Sequence, residues 1–154
     1  TNQAGVRTFE AAAYLRRNGA DVTRVRKMFR DNMADYRAKA LTISNAEVFR
    51  DCFAISECPA EGIESPTIIA AQAANELLNI IGMKATFVLT PFNGVIYVSA
   101  RSIDEVNVQV VMEKLGGGGH RTIAGAQLKD ITVEQAKDRI KEVLNAMLEK
   151  GDIS

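Results

Sequence analysis

Residues Gly116-Gly117-Gly118-Gly119-His120-Arg121 place four side-chain-free positions directly before two potential cations. Each ordered glycine costs about 0.5–1 kcal/mol of backbone entropy relative to alanine, so the run costs roughly 2–4 kcal/mol that some gain must offset. One reading is a flexible linker or a tight turn. The other is close approach of bare backbone to a ligand, with the N–H groups of Gly116 to Gly119 turned toward phosphate oxygens in a concave nest. Linkers mix serine and other polar residues among their glycines, whereas this run lies between an apolar helical stretch and a strand-like one, which favours the ligand.

Other chemistries fail on spacing or composition. A dinucleotide fingerprint begun at Gly116 or Gly117 would need its third glycine at Arg121 or Thr122. A nucleotide P-loop ends in Gly-Lys-Ser/Thr before a helix, and here the glycines precede a strand pattern with no Gly-Lys pair. His120 is the sole histidine and the carboxylates are scattered, so a metal site built from this chain alone is not expected. Nothing resembles a nucleophile elbow. What remains is an anion or nucleotide grip made by the glycine amides, His120 and Arg121, with Arg101 at the end of a hairpin.

The elements that must hold these residues are readable in outline. Lysine plus arginine (19) balances aspartate plus glutamate (19), so no general field draws the chain to a nucleic-acid backbone or an anionic membrane, and an anion must be bound locally. With 47% hydrophobic residues over 154 positions, the chain can bury one real core. No stretch reaches the ~18 apolar residues of a spanning helix, so no membrane contact is expected and a cytoplasmic setting is. Cys52 and Cys58 are spaced wrongly for a zinc pair and read as free thiols. A helical pattern is already running by Val6 without an initiating methionine, and Thr1 reads as the cut edge of a longer polypeptide.

Residues 6–18 read as a helix stopped by Asn18-Gly19. A second helical region follows from Asp21, with Val22, Val25, Phe29, Met33, Tyr36 and Ala40 on one face and the basic residues, interrupted by Asp31 and Asp35, on a solvated one. Short strands at Val48-Phe49 and Phe53-Ala54-Ile55, turning at Arg50-Asp51, mark a change of character, with a domain boundary near residues 40–46. Ser65-Pro66 is expected to cap and open a helix through Ile80. Strands Ala85 to Thr90 and Val95 to Ser99 meet across Asn93-Gly94 and are apolar on both pleats, which calls for cover on both faces. A helix opening near Asp104 runs into the glycines, Thr122 to Leu128 forms a strand, and Thr132 with Gln135 caps a final helix ended by Gly151. The fold class expected is α/β, a mixed β-sheet with flanking helices preceded by an N-terminal helical segment.

Gly116 to Ala126, Gly-Gly-Gly-Gly-His-Arg-Thr-Ile-Ala-Gly-Ala, resembles the glycine-histidine signature of the DHH-associated domain, the C-terminal half of DHH phosphoesterases. Val98 to Ser102, Glu105 to Gln109, Phe9 to Ala12 and Asn18 to Asp21 are most similar to the cyclic-di-AMP phosphodiesterases of the GdpP type. The resemblance implies that residues 1–45 are a helical remnant of the catalytic DHH domain plus linker, and that 46–154 are the associated, substrate-binding domain. It also implies two divalent metals, usually manganese, held by Asp and His of the DHH domain, where a metal-bound hydroxide attacks phosphorus while the associated domain clamps the nucleotide. An Asp-His-His triplet cannot be formed with one histidine, so the metals, and hydrolysis, are expected of an upstream DHH domain in a parent that is itself membrane-anchored or free.

Carried over by position, Gly116, Gly117, Gly118 and Gly119 would offer amides to phosphate, and His120 would donate to a phosphoryl oxygen or else fix the loop. Arg101 would pair with phosphate, stack on a base, or stand as an exposed strand end, and Arg121 is a further candidate. Asn107 and Gln109 would contact the base or cap a helix, while Arg7 and Thr8 would pack on the DHH domain. The partners implied are a cyclic dinucleotide, a short oligonucleotide, the DHH domain of the same polypeptide, or a second copy through exposed apolar surface. The alternative readings are an associated domain of a nanoRNase-like or RecJ-like exonuclease, or a nucleic-acid-binding module similar to that of alanyl-tRNA synthetases.

Overall fold

The computed structural model describes residues 5–28, 30 and 32–153. These group into two compact units that divide between Asn32 and Met33. The first unit holds α1 (Val6–Arg17) and α2 (Val22–Met28). Helix α1 stops as its sequence suggests, with Gly19 at φ +93°, and buries none of its residues. The continuous helix expected from Asp21 to Ala40 is instead two, since α3 begins afresh at Met33; Phe29 and Asp31, placed on it by periodicity, lie outside the described residues.

The second unit contains α3 (Met33–Ser44), β1 (Glu47–Phe49), β2 (Phe53–Glu57), α4 (Pro66–Leu78), β3 (Ala85–Phe92), β4 (Val95–Ser102), α5 (Val108–Glu113), β5 (Gly118–Gly119), β6 (Ile123–Lys129) and α6 (Val133–Lys150). Contacts therefore place α3 with the sheet, ahead of the composition change at residues 40–46, because its buried Ala38 and Thr42 pack there. Thr42 Oγ1 donates to the Ala38 carbonyl, and Ser56 Oγ of β2 donates to the Thr42 carbonyl, which fastens helix to sheet.

Six strands lie in the order β1-β2-β3-β4-β6-β5. Only β2 and β3 run parallel, with α4 as their crossover; the other neighbours are antiparallel. The β1–β2 turn puts Arg50 and Asp51 at φ +53° and +62°, and the β3–β4 hairpin turns on Asn93 at +52° and Gly94 at +75°. One sheet face packs Phe87, Leu89, Val98 and Ala126 against Val111 of α5 and Ile140, Leu144 and Met147 of α6. The opposite face packs Ala54 and Val88 against Ile69, Ala73 and Leu77 of α4, with Ala38 of α3.

That second layer stops partway across the sheet. Strand β3 is buried on both pleats up to Thr90, as its apolar run requires, but β4 alternates half-buried and buried from Val95 to Ser102. Tyr97, Ser99 and Arg101 of β4, with Ile123, Gly125, Gln127 and Lys129 of β6, thus share a face that the α3–α4 layer leaves partly open. Two helix starts differ from expectation. Ser65 makes no side-chain cap bond to α4, and α5 opens at Asn107 rather than Asp104. Asn107 Oδ1 accepts from the N–H groups of Gln109 and Val110, so Asn107 takes the capping role that its sequence position left open beside base contact.

Candidate functional site

The glycine run begins as a helix stop. Gly116, at φ +81°, donates its N–H to the Glu113 carbonyl (3.0 Å), and Gly117 donates to the Met112 carbonyl (2.8 Å). This is the Schellman pattern that closes α5. The run then becomes a strand, with Gly118 paired to Gly125 and Gly119 to Ala124 across β5 and β6. His120 N–H donates to the Ile123 carbonyl (2.7 Å) and closes the β5–β6 turn.

The expectation of four bare amides is therefore corrected. The amides of Gly116 and Gly117 serve the α5 terminus, and the alternation of an antiparallel ladder leaves Gly119 in the position that does not bond to β6. The glycines are required for another reason. A Cβ at Gly117 would meet the Gly125 carbonyl oxygen at 2.1 Å, and one at Gly119 would meet Ala124 Cα at 2.5 Å. Backbone lies directly on backbone here.

This packing carries His120 on a fixed turn. The Arg121 carbonyl accepts from Val108 N–H (2.9 Å) and from Ser102 Oγ (3.3 Å), and the Thr122 carbonyl accepts from Ser102 N–H (3.0 Å). The His120 ring is exposed and has no hydrogen-bond partner among the described residues. Arg121 is differently placed: its Nε donates to the Asp104 carbonyl (2.8 Å) and to Asp104 Oδ1 (3.2 Å), so this side chain is already engaged.

Arg101 pairs in register with Ile123, whose carbonyl holds the His120 amide, so one row crosses β4, β6 and the start of the turn. Arg101 Nη1 donates to the Ala100 carbonyl (2.8 Å), while Nε is buried with no partner. Burial pushes the guanidinium below the usual arginine range, yet arginine remains a cation near neutrality. A half-buried cation with an idle donor is costly unless an acceptor completes it. An anion would do so.

Along the same face lies an open cleft of ≈ 530 Å³. Thr67 of α4 forms one wall, Tyr97 and Ser99 of β4 with Gly125, Gln127 and Lys129 of β6 form the floor, and Gly116-Gly117 closes one side. The glycine turn thus does border a cavity, but His120, Arg121 and Arg101 do not line it. The sequence reading missed the cleft residues. Their signal was the polar alternation at 97, 99, 127 and 129, whose meaning depends on β4 and β6 being neighbours. Asn107 and Gln109 are accounted for by the fold, Asn107 as the α5 cap and Gln109 through its side-chain bond to Glu113 (3.0 Å). Among the described residues no three His, Cys, Asp or Glu side chains gather to hold a metal, and no helix is long and apolar enough to cross a membrane.

This mixed α/β fold is found in known proteins. The DHHA1 domain model matches residues 52–150. The chain is 41% identical over 152 residues to the cyclic-di-AMP phosphodiesterase GdpP of Geobacillus thermodenitrificans, covering 98% of this chain and 23% of that protein. It is 40% identical over 148 residues to the cyclic-di-AMP phosphodiesterase PdeA of Listeria monocytogenes, covering 95% of this chain and 22% of that one. An exopolyphosphatase-related protein from Bacteroides fragilis has the same fold, with a TM-score of 0.79 at 20% identity over 95% of this chain and 45% of its own. The chain belongs to the DHHA1 domain family. It spans less than a quarter of the length of the two phosphodiesterases, which are larger proteins.

Proposed function

We propose that this chain is the nucleotide-holding domain of a phosphodiesterase acting on cyclic-di-AMP. The observation that carries the reading is the identity of 40–41% over nearly the whole chain with two proteins bearing that activity in their names. The geometry supports it. Arg101 Nε lacks an acceptor, and the His120 ring stands free on a turn anchored through Ser102 and Val108. Phosphate oxygens supply the acceptors that both groups lack, and the planar guanidinium suits them.

The two divalent metals that the family implies find no ligand set among the described residues. We assign the metals, manganese for preference, to a companion DHH domain. In this division of labour the domain would orient the phosphodiester and the metals, held by the companion domain, would activate water. We place it in the cytoplasm, where the free thiols Cys52 and Cys58 stay reduced.

Calorimetry with cyclic-di-AMP, its linear dinucleotide and a short oligoribonucleotide tests the reading. Binding of the dinucleotides that weakens in His120→Ala and Arg101→Ala is the expected result. Equal heats for all three proteins would reject the two residues, and preference for the oligonucleotide would move the assignment to an exonuclease. Manganese added to the purified chain is expected to give no turnover; sustained hydrolysis would remove the need for a companion domain.

A further inference from the structure

We propose that Tyr97 and Gln127 form a nucleobase subsite selective for adenine, on the open sheet face beside the phosphate grip. The inference rests on the phosphate being held by His120 and Arg101 and specifies where the rest of the nucleotide goes. Tyr97 lies four positions before Arg101 on β4, so the Tyr97–Gln127 pair lies two same-face steps, about 13 Å, from the Arg101–Ile123 row. The intervening row is Ser99, Gly125 and Gly118, of which two have no side chain at all. It forms a trough rather than a ridge. Gly125 cannot be filled, because a Cβ there would meet the Val98 carbonyl oxygen at 2.9 Å.

A nucleotide with its phosphate at Arg101 would lay its ribose in this trough and its base at Tyr97. Tyr97 is half-buried, Gln127 is exposed, and both line the cleft opposite Thr67. Gln127 has no hydrogen-bond partner among the described residues, unlike Gln109, which is bonded to Glu113. An aromatic ring gives any base a stacking surface, and a glutamine amide adds discrimination. Its carbonyl accepts from adenine N6 while its NH2 donates to N7, whereas guanine presents acceptors at both positions. Lys129, one row further along the face and without a hydrogen-bond or ion-pair partner among the described residues, supplies a cation for a second phosphate.

The test is protein-observed NMR titration of the whole chain with adenosine, AMP, GMP and ribose 5-phosphate. AMP is expected to bind about ten-fold more tightly than ribose 5-phosphate and more tightly than GMP. Tyr97→Leu should abolish the advantage of the base, Tyr97→Phe should keep it, and Gln127→Ala, an exposed change that leaves the fold intact, should erase the preference for AMP over GMP. Equal binding of AMP and ribose 5-phosphate, or ratios unmoved by Tyr97→Leu and Gln127→Ala, overturns the subsite and leaves the phosphate grip standing. Adenosine binding that depends on Tyr97, with ribose 5-phosphate inert and His120→Ala without effect on AMP, supports the subsite and overturns the grip. No shifts with any probe at millimolar concentration overturn both.

Discussion

A Cβ on Gly117 would sit 2.1 Å from the carbonyl oxygen of Gly125, so the end of α5 and the middle of β6 touch backbone to backbone. Gly125 in turn presses on the Val98 carbonyl of β4. The glycine signature is thus a stacking device whose product is a turn carrying His120 and a sheet face bare enough for a ligand to approach.

Substitutions within the run should therefore differ sharply. Gly117→Ala forces overlap with immobile backbone, also meeting Ala126 Cα at 2.7 Å, and is expected to cost about 1–3 kcal/mol or more. At Gly118 a Cβ meets nothing within 4 Å and φ is not positive, so Gly118→Ala should leave stability nearly unchanged. Urea unfolding of the two variants measures the difference. Equal losses would show that the run is sensitive for some reason other than contact with β6.

Asn107 separates capping from ligand contact. Its Oδ1 accepts the first free amides of α5, so Asn107→Ala should lower stability by about 1 kcal/mol, while Asn107→Asp retains most of it. Dinucleotide affinity should follow stability and no more. A variant as stable as the parent that binds poorly would return Asn107 to the binding surface.

Local chemistry explains which parts were legible in the sequence. The Asn93-Gly94 hairpin, the Thr132–Gln135 capping box with Thr132 N–H bonded to Gln135 (3.0 Å), and the αL stop at Gly151 (φ +76°) are each set by neighbours within a few residues. Cover on both sides of Phe87-Val88-Leu89 followed from the absence of polar alternation. The adjacency of β4 and β6 did not, since 22 to 34 residues separate the paired positions of Arg101–Ile123 and Val95–Lys129. Without that adjacency Tyr97, Ser99, Gln127 and Lys129 are unrelated residues. The cost of the glycines is legible in the sequence, but the backbone that Gly117 and Gly119 press against lies in a later strand, so their packing role is not.

His120 and Arg121 are adjacent in sequence and should part in function. His120→Ala removes an exposed, unengaged donor, so affinity for cyclic-di-AMP should fall about ten-fold or more while unfolding is unchanged. Arg121→Ala breaks an exposed pair with Asp104, and exposed pairs contribute about 0–1 kcal/mol. Its affinity should stay within about three-fold of the parent. A larger loss from Arg121→Ala would mean that the ligand draws the guanidinium away from Asp104.

The two thiols link the fold to alkaline pH. Burial raises the Cys58 thiol, an effect reinforced by Glu57 and partly offset by the neighbouring hydroxyls of Thr42 and Thr90. Burial also raises Cys52, against the nearby Lys84 and with Asp51. An unfolded chain gives up these protons near pH ~8.5, while the folded chain keeps them to higher pH. The contribution to stability is therefore complete below the unfolded value and is lost as pH climbs through the folded values. Urea unfolding at about pH 7.5 and about pH 10 should show a steeper decline for the parent than for Cys58→Ala, because the alanine variant has no thiol to deprotonate. Iodoacetamide should label half-buried Cys52 before buried Cys58, which reacts only as the chain opens. Parallel declines in the two proteins, or early labelling of Cys58 at neutral pH, would mean that the layer of α3 and α4 over β2 and β3 opens more readily than its packing indicates.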